Sequence, residues 1–102
     1  MTGHERIDAR SLAMHRLIGA KLRGDPALVS EARSTLERWL ARGSCAGPYY
    51  HQWQEILRQP LEQIVETLGE DSERMTALRQ SSPFAGILSN QERWALLEEF
   101  RA

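Results

Sequence analysis

The chain has 102 residues, enough for one domain with a single modest core and too few for two. Its 41% hydrophobic and 26% charged content matches a soluble globular protein and excludes wholesale disorder, while a formal net charge of −1 excludes whole-molecule attraction to DNA or anionic membrane. A single cysteine, Cys45, excludes an internal disulfide, and the charged first ten residues hold no apolar run of signal-peptide or membrane-span length, so the expected location is the cytoplasm.

No stretch alternates with a strand's period of two, and six segments read as helical. The expected fold is all-α: a compact bundle of about five to six short helices in one domain over residues 1–102, with residues 1–5 frayed. A first helix is predicted from about Arg6 or Ser11 to Arg23, on Met14, Ile18 and Leu22 at i, i+4, i+8 with Leu17 beside them, and Gly24 as its C′ residue. Asp25-Pro26 then opens a second helix whose stripe is Leu28, Ala32, Leu36, Trp39 and Leu40, stopped by the loop from Gly43 to Pro48. So short a connection predicts that the bundle starts with an αα-hairpin.

A third helix, about Tyr49 to Arg58, offers Tyr49, Tyr50, Trp53, Ile56 and Leu57. Adjacent helical residues cannot both face one core, so one of the two tyrosines should look outward. Pro60 either opens a fourth helix or kinks a longer one, because it lacks a backbone donor and clashes with the preceding turn. Leu61, Ile64, Val65 and Leu68 form an i, i+3, i+4, i+7 set closed by Gly69, and Asp71 should cap a short fifth helix that buries Met75 and Leu78. In the block from Arg79 to Trp94, Ser82-Pro83 reads as an N-cap followed by proline at the first helical position, and Ser89 with Glu92 makes a capping box for a last helix from Asn90 to about Arg101. That helix spreads Trp94, Leu96, Leu97 and Phe100 across an arc of about 160° at 100° per residue. Phe84 and Trp94 are each expected to seal the core.

The residues that carry chemistry are scattered. His4, His15 and His51 lack the close spacing of zinc ligands, and Cys45 near His51 has no third group to orient a thiolate–imidazole pair. No glycine-rich phosphate loop exists, and the only lysine, Lys21, sits inside the first helix. The expectation is a non-enzymatic protein with no catalytic residue, no cofactor and no metal. Glu62, Glu66 and Glu70 fall at i, i+4, i+8 and should line one exposed acidic face. Residues 1–42 carry eight basic and five acidic side chains against five and nine in residues 43–102, a mild dipole along the chain.

Residues 61–80 also suit a helix-turn-helix, with Gly69 in the turn and Met75 and Leu78 after it, which makes Arg74 and Arg79 the candidate DNA-binding residues. Glu70 stands where an apolar residue normally packs, and the flanks are acidic, so DNA is not the favoured partner.

Leu12 to Pro26, Ala32-Arg33 with Leu36-Glu-Arg-Trp39, and Ser81-Ser-Pro-Phe-Ala-Gly86 with Glu92-Arg-Trp94 resemble a family of small all-helical bacterial proteins without a characterised activity. Such proteins are similar to the antitoxin half of two-gene toxin–antitoxin operons. The resemblance implies an inhibitor or adaptor that captures a partner protein, such as a toxin encoded by the adjacent gene. A phage- or mobile-element-encoded inhibitor has the same features, and a homo-oligomer is compatible with them. On this reading the last helix and the Pro83–Leu88 turn form an apolar contact surface, with Tyr50, Arg79, Arg93 and Phe100 as partner-binding candidates.

Overall fold

The computed structural model describes residues 3–43 and 47–100. Six helices and no strand appear among them: α1 Gly3–Gly24, α2 Leu28–Ala41, α3 Gly47–Arg58, α4 Leu61–Leu68, α5 Glu73–Arg79 and α6 Asn90–Glu99. α1 begins earlier than the apolar pattern predicts, with Glu5 in its first turn complementing the helix dipole. It runs through Gly24 without using a left-handed glycine; the Asp25 N–H donates to Lys21 O, and the residues after Pro26 close a tight turn before α2. α2 therefore starts at Leu28, not at Asp25-Pro26, and Ala27 stands at its cap with no side-chain bond. Gly43 ends that helix with φ +68, a left-handed conformation that favours glycine.

Pro60 opens α4, since its carbonyl accepts from the N–H groups of Gln63 and Ile64. The cap of α5 is Ser72, one residue later than the expected Asp71, with its Oγ accepting from the Met75 N–H at 3.2 Å. The predicted capping box of α6 is present: Ser89 Oγ accepts from Glu92 N at 3.1 Å, and Glu92 Oε1 accepts from Ser89 N at 2.8 Å. Between them, residues 83–88 form successive turns and no α-helix. Ser82 keeps a cap-like bond, its Oγ accepting from the Phe84 N–H at 3.1 Å. The run to Ser89 is too short to repay helix nucleation, and Gly86 adds about 1 kcal/mol against it.

The core joins one stripe from each of the first five helices to the turn block. Ile18, Leu22, Ala32, Trp53, Leu57, Ile64, Leu68, Met75, Leu78 and Phe84 are essentially inaccessible. α1 lies against α4 above all, and also against α5 and α6, while α2 lies against α3. The turn between α1 and α2 is short, as a hairpin requires, but each helix finds its main packing partner elsewhere. The α1–α4 approach is close because Gly19 has no side chain: a Cβ there would sit 3.1 Å from Val65 Cγ1. No helix among the described residues is long and apolar enough to cross a membrane.

Candidate functional site: the α6 face and the aromatic groove

α6 departs most from an ordinary amphipathic helix, for none of its residues is buried. Trp94, expected in the core, is 63% exposed, and Leu97 is 37% exposed. Leu96 and Phe100 are half-buried. Leu96 packs against the core, and polar contacts fix the start of the helix. Lys21 Nζ donates to Glu92 Oε1 at 2.8 Å and to Ile87 O at 3.0 Å, and the Arg93 guanidinium donates to Ala85 O. Lys21 and the capping box together hold the Glu92 carboxyl well below its ordinary value, at about 2. The predicted Arg93 and Phe100 thus lie on this element, whereas the Pro83–Leu88 turn does not offer the expected apolar surface: Pro83, Phe84 and Leu88 point inward and are buried.

The other two partner candidates, Tyr50 and Arg79, come together somewhere else. Both line a groove of about 470 Å³ whose apolar side is Trp39, Tyr49, Tyr50 and Trp53 and whose opposite wall is the segment 79–82. Tyr50 is the tyrosine that turns inward, 8% exposed, its hydroxyl accepting from Gln54 Nε2 at 2.9 Å. Tyr49 is its outward neighbour at 38% exposure, which reverses the expected assignment.

Arg79 does not sit at a rim. It is 5% exposed, and its Nη1 donates to Leu68 O, at the end of α4, at 3.3 Å and to Glu70 O, just beyond the helix, at 2.9 Å. Nη2 reaches Thr76 Oγ1 at 3.4 Å, and Nε has no partner. Burial lowers the Arg79 pKa; Asp71, Asp8 and Glu70 act on it through the field in the opposite sense. Ser81, two residues on, also has an unpartnered buried Oγ.

Behind the same wall lies an arrangement spread over 67 residues of sequence. His15 is 4% exposed, with Nδ1 2.8 Å from Ser11 O and Nε2 2.8 Å from Ser82 Oγ. A carbonyl can only accept, so Nδ1 carries the proton and Nε2 accepts from the Ser82 hydroxyl. A serine paired with an oriented imidazole has the outline of a nucleophile and its base, a pair that sequence spacing does not reveal. The pair clasps α1 to the turn block: Ser82 is 4% exposed and also accepts from Phe84 N, and burial lowers the His15 pKa, which weakens it as a base.

The clasp carries a pH dependence. A histidine depressed below its ordinary 6.5 in the folded state stabilises the fold fully above that pH, and the contribution is lost as pH falls from 6.5 through the lower folded value. Glu92 adds a second loss as pH falls from 4.5 towards about 2. Melting temperatures between pH 8 and 3 should show both declines, with His15→Gln removing the upper one and Lys21→Met reducing the lower, since the Ser89 bonds to Glu92 remain; a His15→Gln profile parallel to wild type above pH 5 would contradict the clasp.

The acidic row finds part of its countercharge within the chain: Arg23 on α1 bonds Glu62 through Nε at 3.3 Å and Nη2 at 3.0 Å. Glu66 and Glu70 remain exposed. For the helix-turn-helix candidates, Arg74 is exposed but donates to Gln52 Oε1 at 3.1 Å, and Arg79 is turned into the protein, so the pair presents no common surface to phosphate. Cys45 lies outside the described residues, which leaves its pairing with the exposed His51 without a geometry. Among the described residues no group of three or more His, Cys, Asp or Glu side chains could hold a metal ion. Compared with family models, curated proteins and solved structures, the chain has no match in any of the three.

Proposed function

We propose that this protein works by binding, without catalysis, and that the surface it uses is the outer face of α6 presented to a partner protein. The observation that carries this reading is the exposure of Trp94 and Leu97 on a helix that buries none of its own residues. The helix is held by Lys21, Glu92 and Arg93 at one end and by Leu96 against the core, so the exposed Trp94 and Leu97 add little within the chain, and their presence is accounted for if a second surface covers them. Tryptophan is the residue type that most often anchors a protein interface, and Leu97 beside it extends the contact.

The role is that of an antidote or adaptor, the one implied by the sequence resemblance, with the adjacent gene's product as the first partner to try. Trp94→Ala tests it. The substitution should change stability by no more than about 1 kcal/mol, because the ring is exposed, and weaken partner capture at least about tenfold. Co-purification of the two gene products with wild-type and Trp94→Ala protein, alongside thermal melts, measures both. Unchanged capture by a normally folded variant removes α6 as the contact surface.

A further inference from the structure

We propose that the groove between α2, α3 and the segment 79–82 is a binding site for a small apolar carboxylate, such as an arylacetic acid. Its volume of about 470 Å³ suits one small molecule. Trp39 and Tyr49 expose ring surface at its mouth and Trp53 closes its floor, so the walls favour a flat or aromatic body.

The polar wall specifies the other end of the ligand. A guanidinium that is 5% exposed and hydrogen-bonds only to neutral oxygens has carboxylates acting on it through the field but none in contact with it. Two donors on that wall, Arg79 Nε and the Ser81 hydroxyl, have no acceptor, although buried donors are nearly always bonded. A carboxylate supplies what both lack: a negative charge within reach of the guanidinium's field, and oxygens for two donors. The Ser81 hydroxyl is covered although its residue lines the groove, so binding requires it to turn towards a bound ligand. The acids that act on Arg79 are Asp71, Asp8 and Glu70, and none of them lines this groove.

The test titrates the full chain with 1-naphthaleneacetate and with its neutral amide, following the indole N–H resonances of the three tryptophans. The acid should shift Trp39 and Trp53 and leave Trp94, on α6, in place. The amide should bind at least about tenfold more weakly, the worth of one charge-assisted hydrogen bond. Ser81→Ala removes a hydroxyl that bonds to nothing, so it should melt like wild type and weaken the acid by about fivefold or more, and the amide, whose carbonyl accepts only a neutral bond, by less. Equal binding of acid and amide, no shift at Trp39 and Trp53, or a Ser81→Ala variant that binds the acid as tightly as wild type each overturns the proposal. Because the readout excludes Trp94, failure here leaves the α6 reading intact, and failure of partner capture leaves this one intact.

Discussion

Phe84→Ala should cost the protein about 3–5 kcal/mol, the range for removing a fully buried aromatic ring. Phe84 is inaccessible and meets Trp53 edge-to-face, with ring centroids 6.0 Å apart and planes at 60°. Its own N–H closes the Ser82 turn, so the side chain and the backbone of this one residue tie the turn block to α3 and, through His15, to α1. Against the roughly 5–15 kcal/mol that holds a domain of this size, the variant should be largely unfolded at 37 °C or melt far below wild type. Urea denaturation followed by tryptophan fluorescence measures the loss. A variant that unfolds at the wild-type midpoint would mean that the turn block is detachable from the core.

Trp53→Ala should cost as much, and for an additional reason. The ring is 1% exposed, and its Nε1–H donates to Leu78 O at 3.1 Å, a buried carbonyl at the end of α5. Truncation opens a cavity and removes one of that carbonyl's two donors, the other being the Ser81 N–H at 3.1 Å, adding about 0.5–1.5 kcal/mol to the usual cost of about 3–5 kcal/mol. Trp53→Phe separates the two effects, because it keeps most of the ring volume and loses the bond; it should sit roughly midway between wild type and Trp53→Ala. Combined with Phe84→Ala, the loss should fall short of the two single effects added together, since the edge-to-face contact is counted in each. Additive losses in the double variant would show that the rings do not share their stabilisation.

What could be read from the sequence follows the range of the interaction. The stripe Leu61, Ile64, Val65 and Leu68 and the Ser89–Glu92 box involve residues three to seven apart, and both are present. Adjacent residues gave less. That one of Tyr49 and Tyr50 must turn inward follows from helix geometry, but which one depends on where α2 and the segment 79–82 lie. Arg79 looked like a surface cation because arginine usually is one, and no local signal reveals that the carbonyls at and just beyond the end of α4 need its guanidinium. The helix expected after Pro83 had its cap and its proline, but the run before Ser89, with Gly86 in it, is too short to repay nucleation. Trp94 was assigned inward on size, and only the placement of α6 by Lys21 and Arg93 shows it outside. His15 and Ser82, 67 residues apart, carry no mark in either neighbourhood that one belongs to the other.

The packing of α1 sets an order on how the chain acquires its shape. Its partners are α4, α5 and α6, all more than thirty residues downstream, while α2 and α3 adjoin each other in sequence. As the chain leaves the ribosome, α2 and α3 can meet early, but the main packing partner of α1, α4, is made later than both. Closing so long a loop is the slow, entropically opposed step, and Gly19 lowers the steric barrier at its end by letting α4 settle directly on the backbone of α1. During folding α1 therefore presents an apolar stripe until α4 arrives, a surface of the kind a chaperone binds, and it is fixed in place later than the α2–α3 pair.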